Sequence, residues 1–130
     1  MENEHEELIK QLRGVQRIVI NRCYGGFSLS RSAKIRYLDL AGIEYEEYPQ
    51  QDRHSQQLLG NRILVNGIDW SDYEVARDDP ALVAVVRELG AEASGNHSKL
   101  KIVEIPPGIE WTIEEYDGNE WIAEKHRTWR

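Results

Sequence analysis

Residues 17–30 constrain the fold more than any other part of the sequence. They include Ile18-Val19-Ile20, a run of β-branched residues that predicts a strand buried on both faces. Gly25-Gly26 follows and supplies the positive φ angles of a tight turn. Ser28 or Ser30 then accepts hydrogen bonds from the first N–H groups of a helix. The stretch therefore predicts a strand, a glycine loop and a helix in succession.

Turn and cap residues divide the middle of the chain into further elements. Asn66-Gly67 lies between two apolar runs and predicts a β-hairpin, because both central positions of a type I′ turn need positive φ. Asp79 and Pro80 predict the cap and the first residue of a second helix, which Gly90 closes. The composition of Lys99–Ile105 predicts another strand buried on both faces.

A second hairpin is predicted around Asp117-Gly118-Asn119. A two-residue loop would place Glu115 opposite Glu120, and like charges directly across a ladder repel each other. We therefore predict a three-residue loop, in which Asn119 adopts the left-handed conformation. This register gives the hairpin one acidic and partly aromatic face, which carries Glu114, Tyr116, Glu120, Ile122 and Glu124.

These elements predict an α+β fold. It has a single mixed or antiparallel sheet of about five or six strands, two main helices and a short N-terminal helix. Early glutamates and apolar residues at helical spacing predict that amphipathic helix over residues 1–14. Residues 15–130 are predicted to form one domain, because a chain of 130 residues is long enough for one core.

Composition limits the classes of function. Hydrophobic residues make up 40% of the chain and charged residues 30%, which is typical of a globular protein. The net charge of −7 disfavours direct binding to nucleic acid or to an anionic membrane, and it suits a basic partner. The single cysteine fits a reducing compartment, and no apolar run resembles a signal peptide or a membrane span. We therefore expect a cytoplasmic protein.

The glycine loop is the first place where function could reside. A strand, a glycine loop and a helix N-terminus together can bind an anion, because free N–H groups and the helix dipole point the same way. The sequence has neither the dinucleotide-binding nor the P-loop pattern, so a turn without a ligand is the alternative. The predicted ligand-binding residues are Cys23, Tyr24, Gly25, Gly26, Ser28 and Arg77, with Arg22 as an alternative counter-charge.

The acidic face of the second hairpin is the second place where function could reside. Its predicted partner-binding residues are Glu114, Tyr116, Glu120 and Glu124, together with Trp129 near the end of the chain. An alternative is an enzyme that processes a nucleotide or phosphoester through Cys23 or His126, although no catalytic residue is assigned. A further alternative is an oligomeric structural protein that pairs through exposed strand edges. The scattered histidines have no metal-site spacing, so we predict neither a metal nor a cofactor.

Several blocks of sequence form a joint pattern. They are residues 18–30, with Cys23-Tyr24-Gly25-Gly26-Phe27; residues 77–90; residues 100–106; and Trp111–Gly118 with Glu124, His126-Arg127 and Trp129. In these blocks the chain resembles a family of small phage and prophage proteins, from about residue 16 to the end. The resemblance implies an accessory role that modulates a host process or neutralises a defence. We therefore favour a binding module for a host protein or a small anionic, nucleotide-like ligand.

Overall fold

A computed structural model of the chain describes residues 14–51 and 58–125. The fold is mixed α+β, with antiparallel strands, two α-helices and two short 3-10 segments among these residues. The elements are β1 (Gln16–Asn21), α1 (Arg31–Ala41), β2 (Glu46–Gln51), β3 (Leu58–Val65), β4 (Ile68–Asp69), a 3-10 turn (Asp72–Glu74), α2 (Pro80–Leu89), a second 3-10 turn (Gly90–Ala93), β5 (Leu100–Ile105), β6 (Trp111–Tyr116) and β7 (Asn119–Glu124). The predicted N-terminal helix, apart from Gly14, lies outside the described residues, as do His126 and Trp129.

Strand β1 forms the centre of the core. Ile18 and Val19 are fully buried, and Ile20 is nearly so, which confirms the prediction from the β-branched run. β1 pairs antiparallel with β5, and Ile18 lies opposite Val103. The prediction that β5 is buried on both faces is wrong, because Lys101 is exposed to solvent.

Both main helices begin and end where their cap residues predict. Ser30, rather than Ser28, caps α1, and its Oγ accepts a hydrogen bond from the Ala33 N–H at 3.2 Å. α1 ends at Gly42, which has a left-handed φ of 70°. Asp79 caps α2 by accepting from the Ala81 N–H at 2.8 Å, and Pro80 is the first helical residue. Local hydrogen-bonding chemistry therefore fixes both helix starts.

Tyr37 joins the two helices. Its hydroxyl donates a hydrogen bond to Asp79 Oδ2 at 2.7 Å, and its ring stacks on Trp70 with centroids 5.8 Å apart. Burial, this hydrogen bond and the carboxylate charge raise the pKa of Tyr37 from 10.0 to about 12. Ionising the phenol would place a second negative charge beside Asp79.

The raised pKa of Tyr37 predicts a loss of stability in alkali. Since the folded-state pKa lies above the unfolded value, the contribution is complete below pH 10 and is lost as the pH rises towards 12. Urea denaturation across this range should therefore show a steeper loss of unfolding free energy in the wild type than in Tyr37→Phe. Equal pH profiles for the two proteins would contradict the prediction.

Within the described residues, the strands form three small antiparallel sheets, not the single sheet that the sequence predicts. These sheets are β1–β5, β2–β3–β4 and β6–β7. In this part of the chain no third strand pairs with β1 on the side away from β5, because other groups bond its backbone N–H groups there. Val19 N–H donates to Arg77 O at 2.8 Å, and Asn21 N–H donates to Glu120 Oε1 at 2.8 Å. A third strand beside β1 would find these backbone groups already satisfied.

The two predicted hairpins differ in outcome. Asn66 and Gly67 have φ angles of 52° and 77° and join β3 to β4, which confirms the first hairpin. In the second, the predicted three-residue loop is wrong. Asp117-Gly118 form a two-residue loop, and Glu115 lies opposite Glu120 after all. The like-charge penalty is avoided because Glu120 is buried against an arginine.

Candidate functional site

A buried polar junction lies at the end of β1, and Asn21 is at its centre. The Asn21 amide nitrogen donates to Cys23 O and to Gly118 O, each at 2.7 Å. Its Oδ1 accepts from Lys99 N–H at 2.7 Å and from the Ser98 hydroxyl at 3.3 Å. Asn21 is fully buried, and its side-chain amide uses all of its hydrogen-bonding capacity. It therefore ties together β1, β5 and the β6–β7 hairpin.

Arg77 and Glu120 form a bidentate ion pair in the same junction. Arg77 Nη1 and Nη2 lie 2.6 and 2.8 Å from Glu120 Oε1 and Oε2. The guanidinium also donates to Val19 O at 3.2 Å, and its Cζ lies 3.7 Å from the centre of the Phe27 ring. Glu120 is only 7% exposed and also accepts from Asn21 N–H. Each charge is therefore satisfied by the other and by the backbone.

The glycine loop is packed between this junction and its neighbours. Gly25 and Gly26 have φ angles of 139° and 101°, as the turn prediction requires. Gly25 N–H donates to Asp117 O at 3.2 Å, which links the loop to the hairpin turn. A Cβ at Gly25 would overlap His97 O, and a Cβ at Gly118 would overlap Gly26 N. Close backbone packing accounts for Gly25 and Gly118, whereas Gly26 has open space around it and is accounted for by its positive φ.

The predicted ligand-binding residues lie around this junction, but several of their polar groups are already bonded to residues outside the predicted set. Arg77, the predicted counter-charge, is neutralised by Glu120. Arg22, the alternative, donates to Glu120 O at 2.7 Å. Ser28 O accepts from Gly95 N–H, so this part of the loop packs on the α2–β5 connection. Tyr24 is exposed at the rim of the loop.

Cys23 is half-buried beside the junction. Its Sγ lies 3.3 Å from Tyr24 O and 3.5 Å from His97 O. Both contacts are backbone carbonyl oxygens, which accept a hydrogen bond from a thiol but do not provide the general base that activates a nucleophile. The other predicted enzymatic residue, His126, lies outside the described residues.

The observed register divides the predicted acidic face of the hairpin. Glu114 and Tyr116 lie on one face with Trp121, whereas Glu120 and Glu124 lie on the other. We call the first face the outer face; it consists of Thr112, Glu114, Tyr116, Asn119, Trp121 and Ala123. Trp129, the remaining predicted partner-binding residue, lies outside the described residues. The structure therefore separates the four described residues into two pairs on opposite faces of the hairpin.

Trp121 is a member of the outer face that the sequence reasoning missed. Its side chain is 40% exposed, and its Nε1–H donates to Glu114 Oε2 at 3.2 Å. Tyr116 lies two residues after Glu114 on strand β6, and its side chain is 72% exposed. Asp-Gly at the turn favours a two-residue type I′ loop, and that rule alone would have placed Trp121 opposite Glu114.

An acidic cleft of about 650 Å³ lies between the end of α1 and the β3–β4 turn. Asp39, Glu44 and Glu46 are among its lining residues. Burial and the carboxylate of Asp39 raise the pKa of Tyr45, which also lines the cleft. Three carboxylates repel an anionic ligand, so this cleft does not replace the glycine loop as a nucleotide site.

Comparison with known proteins yields no match to a family model, to a curated protein or to a solved structure. Over residues 14–51 and 58–125, no helix is both long and apolar enough to cross a membrane. No group of three or more potential metal ligands occurs within the same ranges.

Proposed function

We propose that this chain is a non-enzymatic accessory binding protein, and that the outer face of its β6–β7 hairpin binds a basic segment of a host protein. The observation that carries the proposal is the exposure of Tyr116 and Trp121 on one face beside the Glu114 carboxylate. We retain the phage or prophage setting as part of the proposal, on the sequence blocks that carry the resemblance.

Exposed aromatic residues suit protein recognition. Tyrosine and tryptophan supply a large contact area at a low cost in side-chain entropy, and they dominate the energetics of many interfaces. Aromatic rings such as those of Trp121 and Tyr116 also attract arginine and lysine side chains. The outer face therefore favours a partner that carries cationic side chains.

The charge of the hairpin favours the same partner. Its exposed carboxylates are those of Glu110, Glu114, Glu115, Asp117 and Glu124. Over residues 109–125 the only basic side chain is that of Lys125. This local excess of negative charge would steer a basic segment towards the hairpin and would repel nucleic acid.

The junction beneath the hairpin supports this function by holding the face in place. Glu120 of β7 is bound to Arg77, and Gly118 O at the turn is bound to Asn21. A hairpin anchored in this way loses little conformational freedom when a partner binds. A small anionic ligand is less well supported, because Arg77 is already neutralised by Glu120.

A library of random linear peptides tests the proposal, with the whole chain as bait. We expect the selected peptides to be enriched in Arg and Lys. Trp121→Ala should weaken binding of a selected peptide by about tenfold or more, as truncation of an aromatic anchor usually does. The matched control is Tyr73→Ala, because Tyr73 is 83% exposed but lies outside the hairpin.

Two results would contradict the proposal. One is a selection that yields no peptide or no enrichment of basic residues. The other is a selected peptide that binds Trp121→Ala and Tyr73→Ala with equal affinity. Circular dichroism of each variant, compared with the wild type, checks that the substitution leaves the fold intact.

A further inference from the structure

Within residues 14–51 and 58–125, strand β6 is paired on one side only. In an antiparallel ladder, alternate residues turn their backbone N–H and C=O groups away from the paired strand. The hydrogen bond from Lys125 N–H to Glu110 O fixes the alternation, so Trp111, Ile113 and Glu115 are the outward residues of β6. Among the described residues, β6 pairs with β7 alone. Its outward backbone groups therefore point away from the sheet.

The opposite edge of the hairpin is covered near the turn. Glu120 is an outward residue of β7 by the same alternation, and its C=O accepts from Arg22 Nη1 at 2.7 Å. At the adjoining turn, Gly118 O accepts from Asn21. The two edges thus differ in the described part of the chain: β7 is anchored to the end of β1, whereas no described strand pairs with the outward edge of β6.

We infer that the basic partner segment binds as an added strand along the β6 edge; this inference rests on the proposed function. A strand placed about 4.8 Å from β6 would pair with the outward groups of Ile113 and Glu115. Its alternate side chains would then lie on the outer face, beside Glu114 and Tyr116. Backbone pairing would supply affinity, and every second side chain would supply specificity.

Charge selects a basic partner strand over a second copy of this chain. The edge strand and its flanks, residues 109–117, contain Glu110, Glu114, Glu115 and Asp117 and no basic residue. Pairing two copies of β6 would bring these carboxylates together, and like charges across a ladder are destabilising. A strand with Lys or Arg at alternate positions would instead pair with them.

The edge of β5 has a different character. Leu100, Ile102 and Glu104 are its outward residues, because Arg22 N–H donates to Lys99 O and fixes that alternation. Ser94 Oγ already accepts from Leu100 N–H at 3.0 Å. Exposed Lys101 and Glu104 give this edge mixed charge. It therefore provides an internal control for substitutions at β6.

N-methylation of a library-selected peptide tests strand addition directly. Methyl groups on one set of alternate backbone nitrogens should prevent those nitrogens from donating hydrogen bonds to β6. The affinity of the peptide should then fall by about tenfold for each hydrogen bond lost. Methyl groups on the other alternate set should leave the affinity nearly unchanged, because those N–H groups face away. The side chains, and hence the charge, are identical in the two peptides.

A substitution in the protein provides the reciprocal test. Glu115→Pro removes an outward N–H at a position where an edge strand tolerates proline, and Glu115→Gln removes the same charge but keeps the N–H. We expect about tenfold weaker peptide binding for Glu115→Pro than for Glu115→Gln. Glu104→Pro, the corresponding change on β5, should bind the peptide like the wild type.

The outcomes separate this inference from the proposed function. If both methylated peptides bind like the parent peptide, strand addition is wrong, while recognition by the outer face stands. If no basic peptide binds the wild type, the proposed function itself is wrong. If sedimentation shows a wild-type dimer that Glu115→Pro converts to a monomer, the edge serves a second copy, and the inference is overturned.

Discussion

Replacing Arg77 by alanine is expected to lower the free energy of unfolding by about 3–5 kcal/mol. The substitution removes both hydrogen bonds to the buried Glu120 carboxylate and the bond to Val19 O. Glu120 would keep only the hydrogen bond from Asn21 N–H, with no opposing charge beside it. A buried charge without its partner costs much more than the intact pair contributes. Because small domains have about 5–15 kcal/mol of stability, this variant should be only marginally folded.

Two further variants make the measurement specific. Arg77→Lys keeps the charge but loses the planar, bidentate geometry and the stacking on Phe27, so its cost should be intermediate. Arg62→Ala breaks an arginine–aspartate pair that is exposed to solvent, and it should change stability little. Urea denaturation of all three variants gives the comparison. Equal losses for Arg77→Ala and Arg62→Ala would show that the junction does not stabilise the fold.

Replacing Gly118 by alanine is expected to be the second most damaging change. Its φ of 88° is strained for any residue with a Cβ, at about 1–3 kcal/mol. The new Cβ would also overlap the backbone nitrogen of Gly26 and lie 2.8 Å from that of Gly25. Neither backbone can move without loosening the loop from the hairpin, so overpacking should cost about 1–3 kcal/mol more.

Gly67→Ala is the matched control for this prediction. Gly67 occupies the equivalent position of the β3–β4 turn with a φ of 77°, and a Cβ there would meet no atom within 4 Å. It should therefore show the conformational strain without the overlap. Thermal and urea denaturation of both variants would isolate the packing cost. If Gly118→Ala proved no less stable than Gly67→Ala, the loop and the hairpin would not be in tight contact.

The features that sequence reasoning predicted correctly depend on neighbours in the chain. Ser30 bonds an N–H three residues away, Asp79 bonds one two residues away, and Asn66-Gly67 form a turn by themselves. Each signal is complete within a few residues, so a single sequence suffices to identify it. The burial of Ile18 and Val19 was predictable for a similar reason, since their composition suits only a core strand.

The features that sequence reasoning missed depend on residues that are far apart in the sequence. The hairpin register was wrong because Glu120 was treated as a solvated charge, whereas Arg77, 43 residues away, neutralises it. The single sheet was wrong because Arg77 and Glu120 also occupy the open edge of β1. Nothing in the local sequence of Arg77 distinguishes it from a surface arginine. That one contact lies behind both errors, because it removes the like-charge penalty that was set above the local Asp-Gly signal for a two-residue loop.

The junction also affects the order in which the chain can fold. Asn21 of β1 bonds Gly118 and Glu120, which are 97 and 99 residues further along the chain. During synthesis, β1 emerges from the ribosome long before the residues that satisfy its edge. Contacts of such long range slow folding, because a large loop must close before they form. The contacts of Asn21 with the hairpin therefore cannot form until residues 118–120 have been translated.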